Sequence, residues 1–291
     1  MNPLTIHAQP QGLRRPVLVA AFEGWNDAAD AASTAARYLA ERWGGRTFAT
    51  LDPEDFYDFS STRPQVRLVG GITREIVWPT NEVLAATLPG SQRDAVVFLG
   101  VEPQLKWRTF CAEIVGVARE LEVEMVVTLG ALLADVAHTR PVRVTGTAAD
   151  PELVRRLGLE RSRYEGPTGI VGVLNTVCRE QGLATASVWA NVPHYISGIE
   201  NPKAALALVQ RVLTLLNVEA DLTDLEDATR QFEQNLAEIV AQNAKIKAYV
   251  AKLESRDAAE AAEAEPAGSD LPPASELVEE IEQFLRQQRP E

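Results

Sequence analysis

This sequence predicts an α/β fold, a mostly parallel open sheet flanked by helices, and three observations carry that prediction. The runs PVLVAAF (16–22), DAVVFLG (94–100), EMVVTLG (124–130) and ATASVWANV (184–192) have strand length and are largely continuous in apolar residues, as strands buried on both faces are. Helical patterns separate them, which is the alternation of an α/β domain. A chain of 291 residues, 46% of them hydrophobic, is also long enough to bury a substantial core.

The elements follow in order. After the strand at 16–22, DAADAASTAARYLAERW (27–43) reads as a helix capped by Asn26 or Asp27, because short polar side chains accept from the free amides of a helix start. RTFATLD (46–52) is a strand beginning after the stop at Gly44-Gly45. VRLVGGITREIVW (66–78) reads as a hairpin turning at Gly70-Gly71, so the sheet is not expected to be purely parallel. The strand at 94–100 leads to a helix, TFCAEIVGVARELE (109–122), and the strand at 124–130 is followed by another, PVRVTGTA (141–148). PTGIVGVLNTVCREQG (167–182) opens on turn residues and continues as a helix. After the strand at 184–192, NPKAALALVQRVLTLLN (201–217) is a helix with Pro202 at its first position, where the missing N–H costs nothing.

These elements make residues 1–220 one α/β domain. From 221 to 256 the pattern changes: Leu225, Phe232, Ile239, Ile246 and Leu253 fall seven apart, with Leu222, Thr229, Leu236, Asn243 and Val250 as a second series. This predicts a long, coiled-coil-like helical extension, or an amphipathic helix lying on the body. Residues 257–274 have almost no large apolar side chain and read as a flexible acidic linker. SELVEEIEQFLRQQ, within the final segment 275–291, is amphipathic again, with Leu277, Ile281, Phe284 and Leu285 on one stripe. A short acidic helix with an apolar face on a tether is a candidate docking element, or else packs back on its own domain.

The formal net charge is −13 and the sequence pI about 4.8, so phosphate backbones and anionic membrane surfaces are repelled. Residues 254–291 hold 11 acids against 3 bases, which leaves the body only mildly acidic. No run approaches the ~18–20 apolar residues of a membrane span, and the N-terminal residues do not read as a secretory signal. Cys111 and Cys178 fall inside apolar helical patterns and read as reduced core thiols of a cytoplasmic protein.

In doubly wound sheets, ligands bind beyond the carboxyl ends of the strands. Polar residues gather at such ends here: Glu23, Gly24, Trp25, Asn26 and Asp27 after the first strand, Glu102 after a middle one, His138 and Arg140 after the next, and His194 after the last. Together they could line one crevice, with His138 as a general base. Each also has a structural reading: Glu23, Asn26 or Asp27 as caps, Gly24 as a turn with positive φ, Trp25 as a lid on the core, the histidines as hydrogen-bonded loop residues. Gly100 and Gly130 read as strand-to-loop punctuation. Arg74, Arg140 and Arg143 could hold an anion or pair with Glu23, Glu75 or Glu102. No GxSxG elbow, P-loop, GxGxxG or HExxH is present, and His7, His138 and His194 are too dispersed to suggest zinc. GPTGIVG (166–172) opens a helix but lacks the lysine of a nucleotide loop.

Four stretches occurring in order, FEGWNDAADAA, LGALLADVAHTRPVRVTGTA, YEGPTGIVGVL and WANVPHYI, resemble the proteasome assembly chaperone 2 family, and its actinobacterial branch in particular. The resemblance covers roughly residues 15–220. It implies a phosphorylase/hydrolase-like α/β fold, and an oligomer, since archaeal relatives form rings or compact assemblies and eukaryotic ones pair as heterodimers that chaperone the proteasome α ring. The implied partners are a second copy of the chain, guessed as a homotrimer from the fold resemblance, and proteasome components, with no nucleic acid and no membrane. The family has no agreed catalytic residues and implies no cofactor, so the reading leans away from an enzyme. Some archaeal relatives dock through a C-terminal hydrophobic–Tyr–any motif. This chain ends Arg289-Pro290-Glu291, leaving the Leu277–Leu285 stripe as the C-terminal docking candidate. The alternative is a small-ligand-binding protein or enzyme that uses the strand-end crevice for a nucleoside- or nucleotide-like ligand.

Overall fold

The structure is a computed structural model describing residues 3–161 and 164–262. In chain order the elements are β1 (Leu4–Ile6), β2 (Val17–Glu23), α1 (Ala31–Arg42), β3 (Arg46–Leu51), β4 (Gln65–Val69), β5 (Thr73–Val77), β6 (Glu82–Ala86), β7 (Ala95–Val101), α2 (Trp107–Glu120), β8 (Met125–Ala134), β9 (Val144–Ala148), α3 (Pro151–Leu157), α4 (Ile170–Glu180), β10 (Ala184–Pro193), α5 (Pro202–Leu216), α6 (Thr223–Gln242) and α7 (Ala244–Ala262). Short 3-10 turns at Ala28–Asp30 and His194–Ile196 lead into α1 and follow β10.

Eight strands form one sheet in the order β1-β3-β6-β7-β2-β8-β10-β9. Its centre, β7-β2-β8-β10, is parallel, and the flanking strands on both sides are antiparallel. The alternation of side chains explains the layers. Val17, Val19 and Ala21 of β2 join the core cluster that contains α1 and α5. Leu18, Ala20 and Phe22 join the opposite cluster, which contains α2 and α4. A central strand must be apolar on both faces when helices cover both, which is why 16–22 reads as an unbroken run. Ala31, Ala32, Ala35 and Ala36 of α1 are fully buried, and their small size lets that helix lie close to the sheet and to α5.

Helix starts follow simple rules. Pro151 and Pro202 sit in the first turns of α3 and α5. Asp150 accepts from the Glu152 N–H at 2.7 Å, and Asn201 from the Ala204 N–H at 3.0 Å. Cys111 and Cys178 are buried and free, with burial pushing both thiols up to about 12.

Several expectations change. The hairpin at 66–78 exists, but β4 and β5 form a separate two-stranded sheet, so the antiparallel character of the main sheet comes from β1, β3, β6 and β9 instead. β1, β6 and α3 lack strong sequence patterns and were not anticipated; each is short. The extension at 221–256 is helical, but it is two helices rather than one rod. Asn243 adopts extended backbone (φ −125, ψ 107) and ends α6. Its Oδ1 then accepts from the Lys245 and Ile246 N–H groups at 3.0 and 3.2 Å, capping α7. The heptad seam faces the body. Leu225 enters the core beside α5, while Leu236, Ile239, Ile246, Val250 and Leu253 pack with Ala137, Tyr195 and Ile196. Most of the linker at 257–274, and all of the stripe Leu277, Ile281, Phe284 and Leu285, lie outside the described residues.

Candidate functional site

The polar residues after β2, β7, β8 and β10 do lie at carboxyl ends of parallel strands, but they gather in two places with different partners. The first centres on Glu102, just beyond β7. Its Oε1 accepts from the Asn26 side-chain amide at 3.1 Å and from the Ile170 N–H at 2.8 Å, while Oε2 accepts from the Trp25 N–H at 3.2 Å. Ile170 opens α4, so this carboxylate sits on a helix N-terminus, where negative charge is stabilised. One acid thereby ties β7 to the β2 turn and to α4. Gly24 holds φ 125, the turn expected of it. Gly169 is demanded by proximity: a Cβ there would lie 1.9 Å from Asn26 Nδ2 and 2.6 Å from Glu102 Oε1.

The remaining members of this group are also engaged. Glu23 turns away from the cluster and pairs with Arg37 of α1 at 3.0 Å. Asp27 is 4% exposed and caps α1 across the intervening 3-10 turn, its Oδ1 accepting from the Ala32 N–H at 2.6 Å and the Ser33 N–H at 3.2 Å. Its Oδ2 is buried without a hydrogen-bond partner, and burial pushes the carboxyl up from 3.8 to about 6 despite those two bonds. Trp25 is not a lid on the core: it is 66% exposed.

His138, Arg140 and His194 form the second group, beneath α7. The Tyr195 hydroxyl accepts from the His138 N–H at 2.8 Å and lies 2.7 Å from His138 Nδ1; the His138 carbonyl accepts from Lys203 at 2.7 Å. Burial, with the Lys203 charge adding to it, pushes the His138 pKa down, so the imidazole is held neutral. His194 meets the Tyr249 hydroxyl at 3.0 Å on one nitrogen and Asp135 at 3.1 Å on the other. Thr139 donates to the Glu254 side chain at 2.5 Å, Arg140 reaches the Glu254 carbonyl at 3.4 Å, and Arg256 reaches the Asp135 carbonyl at 2.6 Å. The two histidines, far apart in sequence, both stack edge-on against Tyr195. This is a clasp holding α7 on the ends of β8 and β10, and the hydrogen-bond partner of the His138 ring among the described residues is the Tyr195 hydroxyl rather than a carboxylate. A cavity of about 770 Å³ remains beside it, lined by Arg140, Arg143, Lys203 and Arg256 among others.

Sequence reasoning did not find a larger groove, of about 1820 Å³, running between α4 and the β10–β9 edge. Its floor holds Thr145 and Thr147 of β9 with Thr185, Ser187, Trp189 and Asn191 of β10. A buried polar chain runs under it: Asn175 donates to Thr128 at 2.7 Å, Thr128 to Ser187 at 2.9 Å, and Trp189 Nε1 to Ser187 at 2.8 Å. Gly130 lies inside β8 rather than after it, and glycine is needed there because a Cβ would be 2.6 Å from the Trp189 ring. Gly100 is likewise within β7. Exposed Trp25, Leu132 and Leu133 form the groove's mouth. The alternation of Thr185, Ser187, Trp189 and Asn191 along β10 was the available signal, hidden because the run also reads as a buried strand.

Comparison with known proteins completes the picture. A PAC2 family protein from Streptomyces avermitilis is 48% identical, with a TM-score of 0.75, over 81% of this chain and 99% of that one. The proteasome-assembly chaperone homologue of Mycobacterium tuberculosis is 46% identical, with a TM-score of 0.73, over 80% and 99%. The archaeal proteasome activator PbaB of Pyrococcus furiosus shares the fold at 18% identity and a TM-score of 0.66, over 82% and 99%. No functionally curated protein matches the chain. Residues 21–240 match the PAC2 family model, and the chain belongs to the PAC2 family.

Proposed function

We propose that this protein is an oligomeric, proteasome-assembly-chaperone-like factor that works by protein–protein contact rather than catalysis. One observation carries the reading: the polar groups placed for chemistry are already used in structural hydrogen bonds, while large apolar side chains stand uncovered elsewhere. Glu102, Asp27 and His138 are each engaged as described. The β4–β5 hairpin, by contrast, exposes Val66 (60%), Leu68 (58%) and Ile76 (56%) on one face, with Ile72 at its tip 89% exposed. The other face carries the Arg67–Glu75 ion pair. A two-stranded hairpin is marginal alone in water, so such an arm gains stability by pairing its apolar face with a partner. The names of the relatives support proteasome subunits as that partner, with self-association of the body, a trimer by fold resemblance, presenting several arms at once, in the cytoplasm. The crevice for a nucleoside-like ligand has less support, because its expected residues divide between a turn and a clasp.

The test mixes the purified chain with separately produced actinobacterial proteasome α and β subunits and follows assembly on native gels. The chain should speed formation of assembled core particle and co-migrate with an intermediate. The Val66→Lys/Ile76→Lys variant should lose that effect while keeping the parent's circular dichroism. Equal assembly with and without the chain overturns the chaperone reading; equal activity of the variant overturns the role of the arm.

A further inference from the structure

The groove between α4 and the β10–β9 edge lacks something the centre of the sheet has. Around β2, helices cover both faces. At β10 and β9, α5 packs on one face, while the other is open beside α4. Open sheets of this class bury both faces, so the missing layer has the shape of one more helix. At about 1820 Å³ the groove exceeds the ~300–1,000 Å³ typical of small-molecule sites.

Its charge is unusual for this molecule. Arg108, Arg161 and Arg179 line it without an ion-pair or hydrogen-bond partner among the described residues, against one lining acid, Glu180. The chain as a whole carries −13. Apolar contacts are available along the same walls from the half-buried Val173 and Val177 of α4, and at the mouth from Trp25, Leu132 and Leu133.

We infer that the groove is the seat of the chain's own segment 275–288, bound as a helix within the same molecule. That segment has the complementary pattern. Leu277, Ile281, Phe284 and Leu285 form one stripe, and Glu276 and Glu280 flank it on one side, where the unpaired arginines could meet them. Fourteen helical residues span about 21 Å, the length of an ordinary sheet-covering helix. The tether is long enough. α7 meets the body at Asp135, immediately beyond β8, whose Leu132 and Leu133 line the groove. The 12 residues from 263 to 274 reach about 40 Å when extended. A largely polar floor of threonines and serine favours a seat that is occupied and vacated over a permanent core contact. The inference does not rest on the proteasome reading, since it concerns the isolated chain.

The experiment places the photo-crosslinking residue benzoylphenylalanine at Phe284 of the full-length chain, irradiates at low micromolar concentration, and maps the product by mass spectrometry. The expected product has the mass of one chain, joined to peptides of α4 or β10. Arg161→Glu/Arg179→Glu should cut its yield about fivefold or more, as should 1 M salt, where charges are screened beyond about 3 Å. Glu276→Arg/Glu280→Arg in the charge-reversed background should restore much of it. Intramolecular crosslinks elsewhere, or no crosslink, overturn the inference. Products with the mass of two chains overturn it in favour of a seat for a second copy. A yield unchanged by charge reversal overturns the recognition by arginine.

Discussion

Glu102 shows how a residue placed for catalysis can be spent on structure. Its two oxygens receive three N–H groups from two separate segments, so removing it leaves the Trp25 and Ile170 amides without their acceptor. Glu102→Ala should cost about 1–3 kcal/mol in urea unfolding, and Gly169→Ala, whose added methyl cannot fit, at least as much. A Glu102→Ala variant as stable as the parent would free this acid for a ligand and reopen the crevice reading. Asp27 makes a prediction in pH. Its folded pKa near 6 lies above the ordinary 3.8, so the folded state holds the extra proton between about pH 4 and 6. This group therefore favours folding fully only below that window, and the contribution is lost as pH rises through about 6. Asp27→Asn keeps an acceptor and removes the titration. The stability of the variant relative to the parent should rise from about pH 4 to 6 and then level off, by chemical unfolding at a series of pH values. A flat difference would show that the carboxyl titrates normally.

At the scale of elements, Asn243 separates what the heptad count joined. Read in sequence, it weakens a seam; in the structure it ends one helix and caps the next. Asn243→Ala should lose about 1 kcal/mol from α7, visible as faster amide exchange there, and Asn243→Asp should largely preserve the cap. Equal exchange in the alanine variant would mean that packing alone positions α7. The legibility of the fold follows the same logic. Long apolar strands and amphipathic helices were readable because their whole length repeats one period. β1, β6 and α3 were not, since three to seven residues hold too few repeats to show a period. Asp27 as a cap was readable from residue type. The Glu102 tie was not, because its partners are 68 and 76 residues away and no local pattern encodes them. His138 and His194 looked unrelated for the same reason, and the groove was invisible because it is defined by the absence of a helix.

For the molecule as a whole, the family and the α/β architecture were both carried by the sequence, but the destination of the heptad seam was decided by packing against Tyr195 and Ile196. The ends of β8 and β10 are thus covered by the chain's own C-terminal helices, while the β4–β5 arm stands free. Were the arm simply a loose surface feature, substitution of its apolar face would leave both oligomeric mass and assembly activity unchanged. Closure by α7 also has a temporal side. Its contacts join residues 115 and 121 positions apart, Thr139 to Glu254 and Asp135 to Arg256. During synthesis the sheet can form once Pro193 has emerged, yet the Tyr195 ring and both histidines stay open to water until Tyr249 follows, roughly 3–10 s later at ordinary elongation rates. A nascent chain of this protein therefore passes through an interval in which its body is built and the ends of β8 and β10 are bare, and only a late stretch of translation covers them.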